Sequence, residues 1–173
     1  MEQGHPVDIQ NRAYFRHLYD PDQAEMRRLY EQAKRDQWNA ATDIDWVQKL
    51  EGDGGLLADD LVDIHGTRFW DKLSPEERVE VNHRVTRWRL STLVHGEHGA
   101  ILVCSQIVQN VEGQDAKLFQ ATQVADEARH NEVLQRYLEL RLDGESYGLG
   151  GNVKEIFDTL LGTPSWHLKT IGL

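Results

Sequence analysis

The sequence predicts an all-α fold, a helical bundle built around one long antiparallel hairpin with shorter helices beside it. Three observations predict it: helical spacing of apolar residues in several segments, clear start and stop residues between those segments, and few strand signals across 173 residues. That length suits one structural domain. Within it, residues 1–73 are expected to form an N-terminal helical extension with its connections, 74–142 the hairpin, and 143–173 a loop with short helices.

Asp20-Pro21 has the form of a helix N-cap followed by proline at the first helical position, so a helix is expected from there to Asp36, with Met26, Leu29, Tyr30 and Ala33 on one face. Gln37 to Trp46 reads as a packed connection, Gly52 to Gly55 as a loop, and Leu56 to Asp71 as a short helix interrupted near Gly66. The strongest element begins at Ser74-Pro75-Glu76-Glu77, where proline at the first helical position coincides with the Ser-x-x-Glu capping box. Its pattern continues to Val111, with Gly113 placed to end it, a rod of about 57 Å. A second long helix is expected from Gln114 or Asp115 to Leu142, before the glycine-rich stretch that ends at Gly151. Asn152 is expected to cap a shorter helix to Leu161, and Gly162-Thr163-Pro164 to break it. A further amphipathic segment begins at Ser165.

Composition excludes several functions. The net charge of −10 opposes counterion release, so no nucleic-acid partner is expected. The longest mainly apolar stretch without a charge, Gly99 to Val111, falls well short of the roughly 20 residues that span a bilayer, and mean hydropathy is −0.61. The N-terminus has neither a basic start nor an apolar run, so the expected compartment is the cytoplasm. With Cys104 as its one cysteine the chain forms no internal disulfide, and a metal must be held by carboxylate and imidazole.

The hairpin fixes which residues share a level. Glu97 lies 16 residues before Gly113, and Glu127 and His130 lie 14 and 17 after it. Glu127-Ala128-Arg129-His130 is Glu-x-x-His, a spacing that puts carboxylate and imidazole on one helix face. Leu90, Leu93, Val94, Ile101, Cys104 and Val108 surround Glu97 at helical intervals; Phe119, Val124, Leu134, Tyr137 and Leu138 do the same for Glu127 and His130. Two carboxylates and an imidazole are therefore expected to converge in the core, where like charges are costly unless a cation compensates. A buried glutamate can instead be satisfied by arginine, and Arg89 and Arg129 are close enough in sequence to do so. Two other Glu-x-x-His matches, Glu2 to His5 and Glu80 to His83, lie elsewhere; His83 is about 21 Å along the helix from Glu97. His95 and His98 read as polar-face residues, and Cys104 as a core thiol or a cavity wall. Gly96 and Gly99 flank Glu97 at a cost of about 1 kcal/mol each relative to alanine, which points to close packing or room for a ligand. Trp38, Trp46, Trp70 and Trp88 read as packing residues.

Gln123-Val124-Ala125-Asp126-Glu127-Ala128-Arg129-His130, with Glu97 preceding Glu127 by 30 residues, resembles the first half of the ferritin-like di-iron oxygenases, bacterial multicomponent monooxygenases among them. The segment around Trp38 and Ile44-Asp45 resembles that preceding the bundle in the ribonucleotide reductase small subunit. The resemblance covers roughly residues 25 to 142. It implies that Glu97 is a terminal ligand of one iron, Glu127 a carboxylate bridging two irons, and His130 a ligand to the iron that Glu97 binds. It implies that Asp126, with Arg129 and Gln123 beside it, orients a histidine of the other half-site by accepting its ring N–H. Leu134 stands where the reductase subunit usually has tyrosine, so no stable tyrosyl radical is expected there.

The family's second Glu and second Glu-x-x-His are absent after His130. The expected bundle is half of a complete four-helix site, completed by a homodimer or a second chain, and the ending Ile171-Gly172-Leu173 points to a split or truncated protein. The expected function is oxygen activation at a carboxylate-bridged pair of irons, with manganese as the alternative ion, to oxidise a small apolar or aromatic molecule. O2 and an electron-donating reductase or ferredoxin are the implied partners. Two alternatives stay open: ferroxidase or iron-storage chemistry on the same bundle, and a helical subunit with no metal.

Overall fold

A computed structural model describes residues 4–48 and 54–173. Its order is α1 (Ala24–Arg35), two 3₁₀ turns (Asp59–Leu61 and Trp70–Lys72), α2 (Pro75–Asn110), α3 (Gln114–Arg141), α4 (Gly151–Gly162) and α5 (Trp166–Gly172). The described residues contain no strand, and none of their helices is long and apolar enough to cross a membrane. The chain has the all-α architecture of a ferritin-like bundle. Glu2 and residues 52–53, half of the loop expected at Gly52–Gly55, lie outside the described residues.

α2 starts as its sequence dictates. The Ser74 hydroxyl accepts the Glu77 N–H at 3.2 Å, and the Glu77 carboxylate accepts the Ser74 N–H at 2.8 Å, a complete capping box. Its 36 residues run about 54 Å. The turn to α3 uses only residues 111–113, so the two long helices pack antiparallel along their length.

Four expectations about the elements need correction. α1 begins at Ala24, not Pro21, because Asp22 serves another helix. The Asp22 carboxylate accepts the Gln114 and Asp115 N–H groups at 3.0 and 3.1 Å, while Asp115 accepts those of Asp22 and Gln23 at 2.8 Å each. Each aspartate thus satisfies the free amides at the other helix's start. Gly113 does not end α2; in extended conformation it is the N-cap of α3. Leu56 to Asp71 forms no α-helix. Asn82 takes both the N–H and the C=O of Leu57, and buried Val62 and Trp70 pin the rest by point contacts. Finally, Gly150 rather than Asn152 caps α4.

The best-packed cluster lies away from the Glu97 level. Val103, Ile107 and Val111 of α2 and its C-cap meet Leu160 and Leu161 of α4, with Trp166 of α5 against them. At Gly99 the Phe157 ring of α4 lies against the α2 backbone: a Cβ there would lie 2.3 Å from it. Gly96 has open space instead.

Candidate metal centre

One turn of α2 and one of α3 bring the predicted trio together. Ligand atoms of Glu97, Glu127 and His130 all lie within 4.8 Å of one another. His130 Nδ1 is 3.1 Å from Glu127 Oε2 and 3.5 Å from Glu97 Oε2, so this nitrogen is the one turned towards both carboxylates. The level matching follows from the short turn at Gly113, and the shared face from the i, i+3 spacing.

The cluster is not in the core, as expected from the apolar stripes, but on the open side of the hairpin. The side chains of Glu97 and Glu127 are 21% and 22% exposed, His130 is 47% exposed, and Leu93, one turn from Glu97, is 50% exposed. The reason is that α4 packs on α2 at Gly99, about half a turn round from Glu97, while the short α1 lies along α3 beside Glu127 and His130, so the described residues cover this face only in part.

Glu97 still pays for its position. Burial pushes its carboxyl up to about 7, the hydrogen bond and charge of Glu127 push the same way, and His130 offsets them only in part. Neither arginine relieves it. Arg89 pairs with Asp63 at 2.8 Å, and Arg129 pairs with Asp126 and with Gln37 while its guanidinium lies 5.1 Å from the Trp38 ring centroid. Two crowded carboxylates and an imidazole with no organic cation among them are a donor set suited to a hard metal ion, and they fit one half of a carboxylate-bridged site.

Around the trio, Asp126 accepts from Arg129, from Gln123 Nε2 at 3.4 Å and from Gln37 Nε2 at 3.5 Å. Gln37 and Trp38 were expected only as part of a packed connection; their contacts with Arg129 span 92 residues or nearly so, a link the helical period does not reveal. The other expected packing tryptophans divide: Trp70 is buried, Trp46 lies under Arg136, and Trp88 is exposed. Cys104 is a buried thiol, its pKa raised to about 11 by burial and then by the Glu127 charge. His95 turns Nε2 to the Tyr147 carbonyl at 3.1 Å, and His98 is exposed; neither joins the trio. His83 lies against Gly54 O at 3.3 Å, and His5 against Asp158 at 2.8 Å.

A long helical hairpin with Glu on one strut and Glu-x-x-His on the other is the framework of the ferritin-like di-iron oxygenases. Residues 20–163 match the family described as P-aminobenzoate N-oxygenase AurF, and the chain belongs to that family. No curated protein and no solved structure matches the chain.

Proposed function

We propose that this chain supplies half of a di-iron centre that activates O2 to oxygenate a small aromatic amine, with Glu97, Glu127 and His130 as the ligands. The observation that carries the reading is the meeting of three ligand atoms within 4.8 Å in a chain of this family, at a glutamate that no arginine neutralises. Iron held there would supply the oxidising power of dioxygen, after two electrons from a reductase or ferredoxin. Manganese is the alternative ion.

The residues' own tasks follow from their positions. Burial and Glu127 raise the Glu97 carboxyl to about 7, so around neutral pH a cation binding there competes with a proton. His130 presents Nδ1, the atom nearest both carboxylates. Asp126 and Gln37 hold the Arg129 guanidinium aside, so that it does not fill the place of the metal between the glutamates. The remaining ligands come from a second copy or another chain.

The test is anaerobic titration of the purified chain with Fe(II), read by Mössbauer spectroscopy, followed by exposure to O2, a chemical reductant and aniline. A spin-coupled iron pair and N-oxygenated product by mass are expected. Iron taken up in large excess, without product, would favour storage; no iron bound even by a chain that pairs with itself would leave a non-catalytic subunit.

A further inference from the structure

Beside α1 and α3 lies an open groove of about 400 Å³, with more polar than apolar surface, whose lining includes Glu127 and His130; its volume is within the ~300–1,000 Å³ usual for small-molecule sites. Leu29, Ala33, Trp38 and Phe119 give it apolar walls, two of them aromatic. Its charge balance is distinctive. Three carboxylates line it, those of Asp36, Asp126 and Glu127, but among the described residues the only guanidinium in the lining is Arg129, and no described lysine joins it.

That guanidinium is committed. One terminal nitrogen donates to Asp126, the other to Gln37, and its face rests on Trp38. A benzoate entering here would give up water without gaining an unpaired cation, and would stand beside Asp36 and Asp126. An uncharged ring bears no such cost, and its amine finds carboxylate and amide oxygens as acceptors.

Building on the reading of the site as an arylamine oxygenase, we infer that this cavity is the substrate pocket and that it selects uncharged aromatic amines of the aniline class over aminobenzoates. Trp38 and Phe119 supply the apolar walls, and the absence of a free cation among the described lining residues sets the specificity. The family description names p-aminobenzoate; this chain's cavity is built for a substrate without that carboxylate.

Equilibrium dialysis of the full chain against aniline and 4-aminobenzoate, metal-free and again with anaerobic Fe(II), tests this. Aniline is expected to bind about tenfold more tightly than 4-aminobenzoate, the size of one lost charge contact. Gln32→Arg, made together with Asp36→Asn so that the carboxylate one turn on does not pair the new guanidinium, is expected to tighten 4-aminobenzoate about tenfold and leave aniline within about twofold. Trp38→Ala is expected to weaken aniline. Equal or tighter binding of 4-aminobenzoate to the unaltered protein, no binding of either compound, or an effect of the double variant shared by both overturns the assignment. Selective aniline binding without N-oxygenation defeats the functional reading and leaves the pocket standing. N-oxygenation with affinities unmoved by either variant defeats the pocket alone.

Discussion

Glu97 bears two opposed demands, one from the fold and one from a metal. Its carboxyl is raised from 4.5 to about 7 by burial first, and then by Glu127. The fold therefore favours the protonated form: this group's contribution to stability is full below about 4.5 and is lost as pH rises through about 7. Metal-free protein is expected to melt at a lower temperature at pH 8 than at pH 5.5. Glu97→Gln should remove much of that difference and raise the pH 8 melting temperature while weakening metal binding, as expected where function stores local strain. A calorimetric pH series checks it, and an unchanged slope in the variant would assign the pH dependence to other groups. Glu127→Ala, at the proposed bridging position, should abolish the coupled iron signal, whereas retention of both irons would remove Glu127 from the ligand set. The trio was legible in the sequence because two helical periods and one short turn fix its geometry. The partners of Arg129 were not, since Gln37 and Trp38 reach it from a different element by contacts that carry no period.

Helix ends and helix contacts show the same division between local and distant causes. The start of α2 was legible because Ser74 and Glu77 are three residues apart and satisfy each other. The start of α1 is not legible in the sequence because the Asp22 side chain accepts from amides 92 and 93 residues away. Asp115 answers it, its carboxyl held below the usual range by the Gln23 N–H above all, with Asp22 N–H and Arg27 acting alike against burial. That stability is present above the ordinary carboxylate range and is lost as pH falls through the lowered value, so Asp115→Ala should flatten the acid limb of the unfolding curve and lower the melting temperature at neutral pH. The two mid-helix glycines can be told apart by substitution. Gly99→Ala forces a methyl into the Phe157 ring and should cost about 1–3 kcal/mol, whereas Gly96→Ala meets open space and should stabilise α2 by up to about 1 kcal/mol. Equal effects in denaturant titrations would show that α4 does not pack against α2 at Gly99.

The arrangement of the described residues leaves the candidate metal ligands on a face covered only in part, and that has consequences for assembly. α2 is about 54 Å long, while α1 and α4 have 12 residues each, about 18 Å apiece, and α4 with α5 covers the side of α2 that carries Val103 and Ile107. Helices gain most of their stability by burying an apolar face, yet here Leu93 and His130 stay open beside two carboxylates. Two copies meeting on this face would bring together two Glu and two Glu-x-x-His, the full inventory of a four-helix di-iron site. Without metal the same meeting would press four carboxylates together, so assembly and metal binding should be linked, each strengthening the other. Light scattering of the purified chain is therefore expected to give a pair with Fe(II) present and a larger share of single chains without it. Glu127→Ala should make the mass insensitive to iron. A single chain that never binds an iron pair would assign the missing ligands to another polypeptide. A single chain that holds two irons tightly would mean that the remaining ligands lie within these 173 residues, and the half-site reading would fall.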